Sequence, residues 1–326
     1  MTYSLSGVIR VISVLISFFL TVAVSTKLNP NDAGLFFLIF SIITITSFIL
    51  TFGREYEVLK VTATELITAS IRNNFLQISK NVFPLIFLSL ILCILFQLIL
   101  SNVNSTETIN LLRNALFAIP AFTGIIIVSY GIQGQSRISL SIFTSRILCP
   151  LILIIGIYSN TFSSINSIFS FYVLIVWACL CISLSLFSFN KKQFDSHQPI
   201  KLIEDNQNNY KVFLFLIGIC QQIFIWQGTI LTSIFFQNDD ISVIAITQRT
   251  ALIISFVLIT INAVNAPKFA RLYAEKDIKG IKRLAKSSTL LSILCGLVTA
   301  ILMFTFAKEI ILLFGEDYLY GVSKLR

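Results

Sequence analysis

VIRVISVLISFFLTVAVST, residues 8–26, is followed by the polar turn KLNPND, residues 27–32, and then by AGLFFLIFSIITITSFILTFG, residues 33–53. Each apolar run has the length that an α-helix, rising 1.5 Å per residue, needs to cross a hydrocarbon layer about 30 Å thick. In that layer every backbone N–H and C=O must be paired within the chain, which leaves helices and closed barrels. The runs are continuous and do not alternate apolar with polar, so they read as helices. The first is read as a span rather than as a cleavable leader. Its basic residue, Arg10, comes late, and the apolar stretch after it exceeds the usual leader core.

The same pattern recurs along the chain. Of 326 residues 56% are hydrophobic and only 12% are charged, and the mean hydropathy is +0.88. A soluble domain carries about 25% charged residues, so the solvent of this chain is lipid. About nine spans are expected: 8–26, 34–53, 83–101, 112–132, 138–158, 165–189, 211–236, 241–264 and 288–307. The fold class is an all-α polytopic membrane protein.

The connections differ by side. Arg54, Lys60, Arg72, Lys80, Arg137, Lys191, Lys192, Lys201, Lys211 and the basic stretch Lys268–Lys286 fall in the even-numbered connections. The first four odd connections hold Lys27 alone. Basic residues are retained on the cytoplasmic side, which puts the amino terminus there. This accounts for the net charge of +9 without nucleic acid as a partner. The stretches Arg54–Val82 and Lys268–Ser287 space their apolar residues as amphipathic helices lying at the headgroup boundary. Asn190–Tyr210, polar and carrying Pro199, reads as a linker. It divides residues 1–190, a six-span unit, from residues 211–326, with three. The turns PNDAG (30–34) and QNDDI (237–241) occupy equivalent places in the two parts. Weak internal symmetry of this kind is a transporter signature. It predicts that the second unit is incomplete by three spans.

Charged side chains in lipid face a cavity or a partner. Arg146 and Arg249 lie deepest in their spans. Arg10 and Arg113 are near span ends, where snorkelling is an equal reading, and Arg54 closes the second span. No Asp or Glu falls mid-span. A cavity lined by arginine alone attracts an anion, and a diphosphate or acidic sugar suits the guanidinium fork. Gln222, with Gln221 and Gln227, lines span seven beside Trp226, and Gln248 adjoins Arg249. Amides and an aromatic ring suit sugar hydroxyls and faces; interhelical hydrogen bonding is the equal alternative. Pro120 and Pro150 are expected to bend spans four and five. The six cysteines all lie in apolar runs and read as small hydrophobes. The single histidine, His197, reads as solvated. There is no nucleotide-binding glycine loop, no metal-ligand spacing, no implied cofactor and no extramembrane domain that an enzyme would need.

LNPNDAGLF (28–36), VSYGIQGQ (128–135), APKFARLY (266–273) and IILLFGEDY (310–318) together resemble polysaccharide-unit flippases of the MOP superfamily, the Wzx-like branch. The resemblance implies two six-helix lobes around a central cavity. It implies transport of undecaprenyl-diphosphate-linked oligosaccharide across a bacterial cytoplasmic membrane, for O-antigen or capsule synthesis, by alternating access. Arg10, Arg54 and Arg249 fall where related flippases place cavity cations. The implied partners are the lipid-linked oligosaccharide, membrane lipid and the polysaccharide polymerase machinery. Two other readings stay open. One is a cation-coupled multidrug exporter of the same fold, which calls for a buried carboxylate. The other is a non-transporting remnant or assembly partner.

Overall fold

The computed structural model describes residues 2–65, 71–101, 107–159, 162, 164–188, 207–274 and 277–325. The described chain is helical throughout. In order the helices are α1 (Thr2–Lys27), α2 (Pro30–Ile49), α3 (Arg54–Glu65), α4 (Ile71–Ser101), α5 (Glu107–Leu116), α6 (Ala118–Gly134) and α7 (Ile138–Ile142). A π-helical segment, Phe143–Ile147, leads into α8 (Leu148–Tyr158). Then come α9 (Ile165–Ser188), α10 (Gln207–Phe235), α11 (Asn238–Ala274), α12 (Ile278–Thr305) and α13 (Ala307–Leu312). A 3₁₀ turn, Glu316–Gly321, and α14 (Val322–Leu325) complete it.

Among the described residues, seven stretches are long and apolar enough to cross a membrane: Gly7–Lys27, Pro30–Ile49, Ile109–Gly134, Ile138–Tyr158, Ile165–Phe187, Val212–Phe235 and Ile278–Thr305. The other two expected spans, 83–101 and 241–264, fall on α4 and α11. α4 carries the shorter apolar stretch Val82–Gln97. α11 is one continuous helix of 37 residues, and its middle holds Arg249.

One expectation about the connections is corrected. Lys268–Ser287 does not form a separate surface helix. Its first part ends α11 and the rest opens α12, with Asp277 as the cap between them, its carboxylate accepting from Gly280 N at 2.9 Å. The basic turns therefore continue the ninth span, which begins ten residues before the expected 288, at Ile278. Of the stretch Arg54–Val82, α3 ends at Glu65, and Leu66 and Ile67 lie outside the described residues. The linker expected at 191–210 also lies outside them up to residue 206, as does His197.

The prolines act where expected, each by a different route. Pro120 cannot donate to the carbonyl of Leu116, and the span breaks at Phe117 between α5 and α6. The freed carbonyls find side chains instead. Cys93 Sγ donates to Leu116 O at 3.3 Å, Trp177 Nε1 to Phe117 O at 3.1 Å and Gln97 Nε2 to Arg113 O at 3.0 Å. That is the condition on which a broken helix survives in lipid. Pro150 cannot donate to Arg146 O, and the helix widens just before it. Leu148 N reaches back five residues to Phe143 O, the mark of a π-bulge.

Small and hydroxyl residues let the helices approach. Ser47 Oγ donates to Ile119 O at 3.2 Å and Thr123 Oγ1 to Ser47 O at 3.2 Å, tying α2 to α6 in both directions. Gly134 leaves no room for a side chain against Thr62, so α3 lies flush on the end of α6. Gln135 and Arg137 then close the last turn of α9 by donating to Phe187 O and Leu186 O. The segment after α12 folds back, with Phe314 buried edge-on against Phe18 of α1 at 5.4 Å.

Candidate functional site

α2 starts on a strong cap. Asn29 Oδ1 accepts from Asp32 N at 2.8 Å, Pro30 occupies the first helical position and Asp32 complements the helix dipole. This start is pressed against that of α11. Asn238 Nδ2 donates to Asn31 Oδ1 at 3.3 Å, and Gly34 lies directly against the Asn238 backbone. The two turns that the sequence marked as related thus meet at one end of the bundle.

From that contact α2 and α11 run together toward Arg249. The Arg249 guanidinium lies over three rings, at 4.7 Å from the centroid of Phe37, 5.2 Å from Trp226 and 5.7 Å from Phe40. Its Nη1 donates to Thr21 Oγ1 at 2.9 Å, and that hydroxyl donates in turn to Ser17 O at 3.1 Å. Nη2 is buried and has no hydrogen-bond partner. Among the described residues no carboxylate pairs with Arg249. A guanidinium set against ring faces, with one terminal nitrogen bonded and the other unpaired, is suited to an acceptor such as a phosphate or carboxylate oxygen. Phe40 extends the aromatic wall, meeting Trp226 at 5.7 Å and Tyr172 at 5.8 Å.

The other predicted residues are placed as follows. Trp226 and Gln222 share one face of α10 at i, i+4 spacing, and both are half-buried; Trp226 is part of the Arg249 site. Gln248 is committed elsewhere: its Nε2 donates to Ile225 O at 2.6 Å, fastening α11 to α10. This is the interhelical alternative that the sequence left open. Arg10 is exposed and sits about three turns from Thr21 on the same face of α1, at 3.6 residues per turn. Arg54 is exposed at the start of α3. Arg146 is exposed as well. It lies in the π segment, within electrostatic reach of Tyr130 on α6. The structure therefore joins Arg249 and Trp226 directly and spreads Arg10, Arg54 and Arg146 along other helices.

Four residues of interest escaped the sequence. Thr21, Phe37 and Phe40 carry no signal among dozens of apolar and hydroxyl residues in spans. Glu55 sat in a polar connection, yet it is 0% exposed and neither carboxylate oxygen has a hydrogen-bond partner. It is enclosed beside Tyr56 and Tyr130, whose rings meet edge-on at 5.5 Å. Burial pushes its carboxyl above the ordinary value of 4.5, against a smaller lowering influence of Thr51.

The architecture is that of a polytopic helical membrane protein. Residues 214–319 match the MatE family model. The whole chain is similar in fold to an inward-facing multidrug resistance MATE family transporter of the MOP superfamily, with a TM-score of 0.66 and 14% identity. That alignment covers 98% of this chain and 78% of the other. No curated protein matches the sequence. The fold is thus that of the MATE transporters, and the chain is a multi-pass membrane protein.

Proposed function

We propose that this chain moves an isoprenoid-diphosphate-linked oligosaccharide from the inner to the outer leaflet of a bacterial cytoplasmic membrane, for surface polysaccharide assembly. The observation that carries the reading is the unpaired Nη2 of Arg249, buried between α1, α2, α10 and α11 with no carboxylate to satisfy it among the described residues. A diphosphate supplies the missing acceptors. Trp226 offers a flat apolar face, and Gln222 an amide one turn away, both suited to a sugar. Arg10, Arg54 and Arg146 would guide an anion along the passage. In this reading residues 1–190 and 211–326 form the two lobes, the amino terminus is cytoplasmic and the Asn31–Asn238 contact closes the outer end. The polymerase machinery would take up the product. No bond is made or broken.

The test is complementation of a strain lacking its own flippase, read as surface polysaccharide. Arg249→Ala is expected to abolish it. Arg249→Lys keeps the charge but loses the fork of donors, and should restore only part. Full activity of Arg249→Ala would remove the site assignment. The buried carboxylate of Glu55 favours a second reading, a cation-coupled exporter. That reading predicts drug efflux lost in Glu55→Gln, with polysaccharide output indifferent to Arg249.

A further inference from the structure

Arg249 belongs to α11, but most of what holds it does not. Thr21 is on α1, and Phe37 and Phe40 are on α2. Only Trp226, on α10, belongs to the same part of the chain. The side chain is therefore a bridge between the N-terminal helices and the C-terminal ones, set below the second bridge at Asn31 and Asn238. One hydrogen bond and two ring contacts reach across to α1 and α2, and an anion that engages the guanidinium competes with all three. Attraction to a ring face is electrostatic and falls when an anion neutralises the charge. A phosphate oxygen is also a much stronger acceptor than a threonine hydroxyl.

We propose that Arg249 is a ligand-operated latch: an isoprenoid diphosphate engaging its unpaired Nη2 loosens its hold on Thr21, Phe37 and Phe40 and frees α11 from α1 and α2. The inference rests on the diphosphate reading above and adds to it the step that links binding to movement. Thr21 is then a positioning residue, and the Asn31–Asn238 end opens because the bridge beneath it has let go. An unliganded protein stays latched, so the lobes do not cycle empty.

Two measurements on the purified full chain in lipid nanodiscs test this, with farnesyl diphosphate as probe and farnesol as the uncharged comparison. The chain has two tryptophans. In a Trp177→Phe background the emission of Trp226 reports the guanidinium beside it. Farnesyl diphosphate, not farnesol, should change that emission saturably, and Arg249→Ala should abolish the change. The second measurement keeps both tryptophans. The rate at which a short bis-methanethiosulfonate links Asn31→Cys to Asn238→Cys is read by mass spectrometry of the joined peptides. The Gly34 backbone contact keeps these positions close in the double variant. Saturating farnesyl diphosphate should slow linking about fivefold or more, the lower end of ordinary coupling between sites. Thr21→Val should link slowly without ligand and respond little to it, whereas Thr21→Ser should behave as the parent. An emission change with unaltered linking would overturn the latch and leave the diphosphate site standing. Slower linking without an emission change would also overturn it, since Arg249 would not be the route. No response in either measurement would overturn both the latch and the site.

Discussion

Replacing Gly34 by alanine is expected to open the end of the bundle where Asn31 meets Asn238. A Cβ at residue 34 would stand 2.8 Å from the Asn238 carbonyl carbon and 3.3 Å from its Cα, and nearer still to its oxygen. Carbon atoms in good contact lie about 3.5–4.0 Å apart, so α2 and α11 must separate by roughly 1 Å. The obstacle is backbone, which cannot swing aside as a side chain can. Overpacking of this kind costs about 1–3 kcal/mol, and only while the end is closed. Alanine also favours the helix over glycine by about 1 kcal/mol, but α2 is helical whether the end is closed or open, so that gain cancels in the opening equilibrium. The closed-to-open ratio should shift by the full contact cost, about 5–150-fold. Overall stability should change by much less, because the helix gain offsets part of the strain. The assay is the rate at which Asn31→Cys reacts with a membrane-impermeant maleimide in intact cells, compared with and without Gly34→Ala. A rise of about fivefold or more, with a nearly unchanged melting temperature, is expected. A labelling rate within about twofold would mean that the two backbones do not seal this end, and the reasoning fails.

Glu55→Gln should raise the melting temperature of detergent-solubilised protein above pH 4.5 and leave it unchanged below. Burial lifts the folded-state value above 4.5, so the folded state of the parent is favoured in acid. It loses ground as pH rises from 4.5 through the raised value. Parallel pH–melting curves for the two proteins would contradict the burial of Glu55 beside Tyr56 and Tyr130. Ser47→Ala and Thr123→Val each break part of the reciprocal α2–α6 pair, and each should cost about 0.5–1.5 kcal/mol. Their double-mutant cycle, measured by denaturant unfolding in mixed micelles, should show a coupling near 0.6 kcal/mol, typical for hydrogen bonds between membrane helices; strict additivity would separate the two hydroxyls. Gln97→Leu leaves the Arg113 carbonyl unpartnered at the break before Pro120 and should destabilise by about 1–3 kcal/mol, read in the same unfolding assay. A neutral result would place another donor on that carbonyl.

The sequence on its own determined that this is a helical membrane protein, where most of its spans run and which prolines interrupt them. These follow from local facts: the length of an apolar run against the thickness of a bilayer, and the missing N–H of proline. It also determined that Arg249 stands in the middle of a span, because a charge in lipid is conspicuous by itself. Tertiary structure alone decided what Arg249 touches. Thr21, Phe37 and Phe40 are more than 200 positions away in the chain, and nothing in their own runs distinguishes them from their neighbours. The same holds for Gln248, read as a sugar contact or a helix tie and found tying α11 to Ile225. Glu55 shows the limit most clearly. Its neighbours in sequence are polar, and only the packing of α3 onto α6, which Gly134 permits, removes its carboxylate from water. Burial is set by what lies opposite a residue in space, and a linear pattern carries that information only where solvent and lipid impose it.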